Sequence, residues 1–238
     1  MDAEVPARDV AAIPLWDSAY DASNLKDKPN LWGDPPVPYA EKAAALFAAA
    51  GAAVVIDLPC GDGRNMPPLA TAAPILLGGD TSTKAMTIAE AVCAEAGIRN
   101  KTVFSVVDAY HTGLLDDSVD GIFSWDLLGH LTNPQDVLRE FYRVLRPGGA
   151  IVANMWTMND CQPSDPDIRE IAPKEYIDHA GFYCRFYDHA DLEALLAEVG
   201  MPAENIEVSH WHEPPHAEYR TYDHEHESLV FTLRKPSA

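Results

Sequence analysis

The run Val54-Val55-Ile56-Asp57-Leu58-Pro59-Cys60-Gly61-Asp62-Gly63-Arg64-Asn65 constrains the fold more than any other stretch of this chain. An apolar segment ends in an acid, turns on glycines and enters a stretch compatible with a helix. A buried strand feeding a glycine turn and a helix N-terminus is how an open α/β sheet builds a nucleotide pocket. Pro59 stands where the usual pattern has its first glycine, so the run is weak alone and depends on how the later strands end. The 238 residues suffice for one α/β domain (1–238) with a full core and are too few for two.

Apolar runs and helical periodicities alternate from there on. Tyr39 to Ala50 is Ala-rich and stops at Gly51, as a helix does. Ala52 to Ile56 lacks polar alternation, which suits a strand covered on both faces. Pro74–Asp80 reads as the second strand, Ser82–Ala96 as a helix stopped by Gly97, Lys101–Val107 as the third strand and Gly121–Trp125 as the fourth. Asn133-Pro134 caps a helix with Val137, Phe141 and Val144 on one side, and Pro147-Gly148-Gly149 ends it before a fifth strand, Ala150–Met155. Thr157–Tyr187 breaks the rhythm and reads as an insert. Asp188–Val199 is a helix, and Asn205–Trp211 and Glu227–Leu233 are closing strands. The expected fold is α/β: a Rossmann-like, doubly wound, seven-stranded, mainly parallel sheet with a closing antiparallel C-terminal strand. Residues 1–38 form an N-terminal cap or lid, 39–156 a cofactor-binding core, 157–187 a substrate-pocket insert, and 188–238 the C-terminal helix and closing strands.

The charge balance narrows the partners. The chain carries 17 Lys plus Arg against 37 Asp plus Glu, a formal net charge of −20. Such a field repels phosphate backbones and acidic membrane surfaces and tolerates a cationic ligand. The N-terminus has no basic region followed by an apolar run, and no stretch is long enough to span a bilayer. Cys60, Cys93, Cys161 and Cys184 are widely spaced and read as reduced thiols, which fits the cytoplasm.

Ligands on such sheets bind beyond the carboxyl ends of the strands, and Asp57, Asp80, Asp108 and Asp126 mark those ends or the turns just after them. Gly61 and Gly63 let the backbone approach a ligand closely. Asp62 lies where a pyrophosphate would have to sit, and its carboxylate disfavours one. Asp80 comes 23 residues after Asp57, near the ~20-residue offset of a ribose-binding acid. Asp108, followed by the small Ala109, can accept from an exocyclic amine such as adenine N6.

With these residues the chain resembles the class I S-adenosylmethionine-dependent methyltransferases of the small-molecule type. The matching segments are Asp57–Gly63, Gly79-Asp80-Thr81-Ser82, Val107-Asp108-Ala109 and Leu138–Gly149, in the family's order. The resemblance implies S-adenosyl-L-methionine as cofactor, held by Asp57, Pro59, Cys60, Gly61, Gly63, Asp80, Thr81, Asp108, Ala109, Trp125 and Asp126. It puts the turn at the methionine part, Asp80 on the ribose, Asp108 and Ala109 at the adenine, and Trp125-Asp126 beside the amino-acid end. Cys60 is expected to meet the cofactor through its backbone.

The expected activity is methyl transfer to a small molecule, to oxygen first and to nitrogen or sulfur behind it, in a bacterial biosynthetic pathway. His130 follows the fourth strand and is the candidate general base. Trp16, Tyr20 and Trp32 in the cap, and His216, Tyr219 and Arg220 near the C-terminus, are candidates to line the acceptor pocket; aromatic faces also attract a sulfonium. The histidine-rich end, with His210 and His212 on one side of a strand, would suit a metal-binding module, although its spacing fits no familiar metal motif and no metal is expected. The residues are also compatible with the same fold catalysing a non-methylating cyclisation or elimination, and with an NAD-binding oxidoreductase. Nucleic acid and membrane partners are not expected, and a homodimer is compatible with the chain.

Overall fold

A computed structural model describes residues 5–21, 36–160, 168–201, 203–214 and 225–237. Its centre is a seven-stranded sheet of β1 (Val54–Asp57), β2 (Ile75–Asp80), β3 (Thr102–Val106), β4 (Val119–Ser124), β5 (Leu145–Trp156), β9 (Ile206–His212) and β10 (Glu227–Arg234). Their order is β3-β2-β1-β4-β5-β10-β9. The pairs among β1 to β5 are parallel, and β10 runs antiparallel to both β5 and β9. This is the expected doubly wound sheet with one reversed strand near its C-terminal edge. The order reverses at β1, which puts the glycine turn after β1 at the switch point where such sheets bind ligands.

Alternation along the central strands separates two apolar layers. Ile56, Ile122 and Phe231 face one layer with Phe141, Val144, Leu192 and Leu195. Val55, Phe123 and Val230 face the other with Phe47, Ala89 and Cys93. Helices α5 (Pro134–Val144) and α6 (His189–Glu198) therefore cover one face, and α2 (Pro38–Ala49) and α4 (Thr83–Glu95) the other. Between them in the chain, α3 (Met66–Leu69) is a single turn, and α1 (Ala7–Ala19) precedes the core. Ser82 caps α4 by accepting from Ala85 N–H, and Asp188 caps α6 in a reciprocal capping box with Asp191.

Two elements differ from the sequence reading. Helix α5 ends at Val144, and β5 starts at once at Leu145, so Pro147-Gly148-Gly149 lies inside a strand rather than in a loop. That segment is held from both sides: Gly148 N–H donates to Lys235 O and Lys235 N–H to Gly149 O, while Arg146 ion-pairs with Asp120 at 2.9 Å. The insert is not irregular throughout. Strands β6 (Arg169–Ala172), β7 (Glu175–Ile177) and β8 (Tyr183–Arg185) form a small antiparallel sheet. Strands of three or four residues are too short to show a period, which is why the sequence hides them. No helix among the described residues is long and apolar enough to cross a membrane.

Candidate active site

The turn after β1 is built by its own backbone and by one side chain from β2. Cys60 N–H donates to Gly79 O at 2.8 Å and Gly63 N–H to Cys60 O at 2.9 Å. Gly61 N–H donates to Asp80 Oδ2 at 3.0 Å, and Ser82 N–H to Asp80 Oδ1 at 2.8 Å. The Cys60 N–H is thus tied to β2 and its carbonyl to the turn, while the residue itself lines the cavity. Gly61 and Gly63 have φ of +49° and +84°, where a side chain is strained. At Gly63 a Cβ would also lie 2.8 Å from the Ala89 Cα, so this glycine lets α4 pack against the turn.

Above the strand ends lies a cavity of about 680 Å³, within the ~300–1,000 Å³ usual for small-molecule sites. Of the residues expected at the cofactor, Pro59, Cys60, Gly61, Asp80, Thr81, Asp108, Ala109, Trp125 and Asp126 line it, as do His130, Trp16 and Tyr20. Asp57 and Gly63 do not. Asp57 is fully buried beneath the turn, and neither of its carboxyl oxygens has a hydrogen-bond partner among the described residues. Tyr20, expected at the acceptor, stands over the turn: a Cβ on Gly61 would lie 2.8 Å from its hydroxyl. Trp32, His216, Tyr219 and Arg220 lie outside the described residues.

The wall is acidic. Among the described residues it carries Asp9, Asp62, Asp80, Asp108, Asp126, Asp178 and Glu213 against one fixed cation, Arg64. Such a lining favours a cationic ligand over a pyrophosphate. Burial raises the Asp80 carboxyl to about 6, even though N–H donors from Ser82 and Gly61 pull it down. Burial also pushes Asp57 well above the carboxylate range, with the Asp80 charge adding to it. Asp108 accepts from Tyr110 N–H at 2.9 Å.

Asp126 sits at φ +55°, an uncommon conformation that Asp tolerates better than most residues. Its N–H donates to Asn154 Oδ1 at 2.7 Å, and its Oδ1 accepts from Asn154 Nδ2 at 2.7 Å and Trp156 Nε1 at 3.0 Å. Its Oδ2 lies 3.9 Å from Arg64. The sequence reading missed Arg64, although its place directly after Gly63 was the available signal.

His130 is half-buried and boxed by aromatics. Its ring meets Trp16 at 4.8 Å and Trp156 at 4.6 Å, both edge-on, and Phe182 at 6.0 Å. Its Nδ1 lies 2.8 Å from the Tyr183 carbonyl of β8. A carbonyl only accepts, so Nδ1 carries the proton and Nε2 the lone pair. Burial lowers its pKa, outweighing that hydrogen bond and the nearby acids, so the ring is neutral at pH 7.

The histidine-rich end divides. His210 and His212 flank the Glu227 carboxylate at 3.8 and 3.3 Å on one side of β9. Among the described residues, no group of three or more His, Cys, Asp or Glu side chains is placed to hold a metal ion. His226, by contrast, lines the cavity.

The stretch from residue 56 to residue 153 matches a family model described as a methyltransferase domain. "Methyltransferase GfsG" of Streptomyces halstedii is 33% identical over 99 residues, which is 41% of this chain and 35% of that protein. The chain thus matches about a third of that relative's length. The crystal structure of Burkholderia thailandensis 1,6-didemethyltoxoflavin-N1-methyltransferase, with 1,6-didemethyltoxoflavin and S-adenosylhomocysteine bound, aligns with a TM-score of 0.60 at 20% identity, covering 100% of this chain and 94% of that one. The [4+2]-cyclase SpnF aligns with a TM-score of 0.57 at 17% identity over 100% of both chains. The structural likenesses carry the fold, and the domain match covers residues 56–153. Over residues 56–153 the chain is thus similar to a methyltransferase domain, set in a fold shared with S-adenosylmethionine-dependent methyltransferases.

Proposed function

We propose that this protein transfers the methyl group of S-adenosylmethionine to an oxygen of a small-molecule acceptor, in a bacterial biosynthetic pathway. The carrying observation is one acid-lined cavity whose wall holds Asp80 and Asp108 together with a histidine in an aromatic box. S-adenosylmethionine supplies an electrophilic methyl on a sulfonium, and the acidic wall suits that positive charge. Asp80 and Thr81 would hold the ribose and Asp108 and Ala109 the adenine. Gly61, Pro59, Cys60, Trp125 and Asp126 would face the amino-acid end, with Asp57 and Gly63 supporting the turn from behind. Arg64 joins this set as a partner for a carboxylate.

Around His130 the rings of Trp16, Trp156 and Phe182 wall off water, and His130 accepts a hydrogen bond from the acceptor through Nε2. Positioning supplies much of the rate in an in-line displacement. Incubation with S-adenosylmethionine and a panel of hydroxylated acceptors tests the reading; formation of S-adenosylhomocysteine together with a methyl ether is expected. The likeness to a cyclase supports a second reading, in which the same cavity turns over its substrate without moving a methyl. Product formation without S-adenosylhomocysteine would favour it.

A further inference from the structure

We propose that His226, held by the buried Asp160 carboxylate, is the general base of this cavity, and that it serves an acceptor with an acidic hydroxyl, a phenol or an enol. The inference rests on the methyl-transfer reading of the same site.

Asp160 lies in the turn that follows β5, where its N–H donates to Thr157 O at 3.1 Å. It is 2% exposed. His226 immediately precedes β10. The two strands pair with Trp156 opposite Ser228, and Thr157 N–H donates to Glu227 O at 2.9 Å, so the turn and His226 meet at one end of the sheet. His226 Nδ1 lies 2.8 Å from Asp160 Oδ2, which also accepts from Glu227 N–H at 3.3 Å. A carboxylate at Nδ1 makes Nε2 the basic nitrogen and stabilises the imidazolium once it forms. His226, Ser228, Trp156 and His130 line the same cavity.

The two histidines are tuned in opposite directions. His130 has a neutral carbonyl as partner, and burial lowers its pKa. At His226 burial also disfavours the charge, but Asp160, with Asp126 and Glu213 facing it, more than offsets this and raises the pKa. His226 is therefore the better resting place for a proton, and His130 the group that orients the acceptor. An imidazole lies only a few pK units from a phenol of pKa about 10 and far from an alcohol, so transfer to it favours an acidic hydroxyl.

The step balances. The hydroxyl proton passes to Nε2 as the oxygen attacks the methyl carbon. The C–O bond forms while the S–C bond breaks, and its electron pair stays on sulfur as a neutral thioether. The imidazolium is balanced by Asp160 and later gives its proton to solvent.

Phenol and 4-nitrophenol are the acceptor probes, with S-adenosylhomocysteine formation as the readout at near-neutral pH. His226→Gln should lower kcat/KM for phenol by about 10²–10⁴-fold, while 4-nitrophenol, of which about half is already phenolate near pH 7, falls by less than about tenfold. Calorimetry should find S-adenosylhomocysteine binding to His226→Gln unchanged. In Asp160→Asn the NMR titration midpoint of His226 should move down, measured without cofactor, and turnover of phenol should fall with it. Equal losses on both probes, no loss on either, or an unmoved midpoint would overturn the assignment. Wild-type protein that binds S-adenosylhomocysteine yet methylates neither probe overturns the acceptor class. Failure to bind S-adenosylmethionine or S-adenosylhomocysteine at all instead brings down the methyl-transfer reading itself.

Discussion

Asp80 accepts the N–H of Gly61 at 3.0 Å, so the carboxyl that ends the second strand also fastens the glycine turn after the first. One side chain thus shapes the turn and lines the cavity, where we propose that it meets the ribose. Asp80→Ala should weaken S-adenosylmethionine binding by ~1–3 kcal/mol, the scale for losing a charged acceptor. Isothermal calorimetry measures this, and unchanged affinity would remove Asp80 from the ribose.

The same carboxyl makes binding depend on pH. Burial raises Asp80 to about 6 from an ordinary 3.8, so it gains a proton as pH falls through about 6. A protonated carboxyl is a poorer acceptor for ribose hydroxyls. Cofactor affinity should therefore weaken on going from about pH 8 to about pH 5, and Asp80→Asn should flatten that profile. A wild-type profile that stays level would contradict the role.

On the proposed role of His130, His130→Ala should lower turnover far more than cofactor affinity, because the ring lines the cavity and its Nδ1 proton is fixed on Tyr183 O. Steady-state kinetics beside calorimetry separates the two. Normal turnover would retire the residue from the chemistry.

Asp57 affects stability through its ionisation. Its folded pKa lies well above the unfolded 3.8, so the fold favours the protonated carboxyl. Stability from this group is present at low pH and is lost as pH rises from the unfolded value through the folded one. Asp57→Asn cannot ionise. It should gain about 1–3 kcal/mol at pH 7 and show a shallower loss of stability between acid and neutral pH, read from denaturant melts. A loss of stability at pH 7 would show that the charged form has support.

The sheet was legible because its strands are continuous apolar runs ending in acids, and its helices carry clear stops. Asp80, Asp108 and the glycine turn could be found because their spacing follows from one strand, one turn and one helix. Asp160 and His226 could not. They lie 66 residues apart and meet only because β5 and β10 pair antiparallel. Trp156 was likewise invisible as the side chain against His130, since nothing local in its segment points to a histidine 26 residues earlier. The strands of the insert were missed for a different reason, their brevity.

The Asp9 carboxylate accepts from the Thr132 N–H at 3.1 Å and from the Tyr110 hydroxyl, while Asp17 accepts from Ser82 Oγ at 2.6 Å. Asp9→Ala should loosen this end of α1, which limited proteolysis would register as earlier cleavage within residues 5–21. Cleavage at the wild-type rate would mean that the aromatic contacts alone suffice.

No residue of α1 itself is fully buried, although the helix forms part of the cavity wall. Among the described residues it is joined to the rest of the molecule by carboxylate contacts, by the Trp16 ring and by Arg8 over the Tyr183 ring. The α1 part of the cavity wall thus stands apart from the two apolar layers of the sheet. Displacing α1 would uncover the cavity while leaving both layers packed on the sheet.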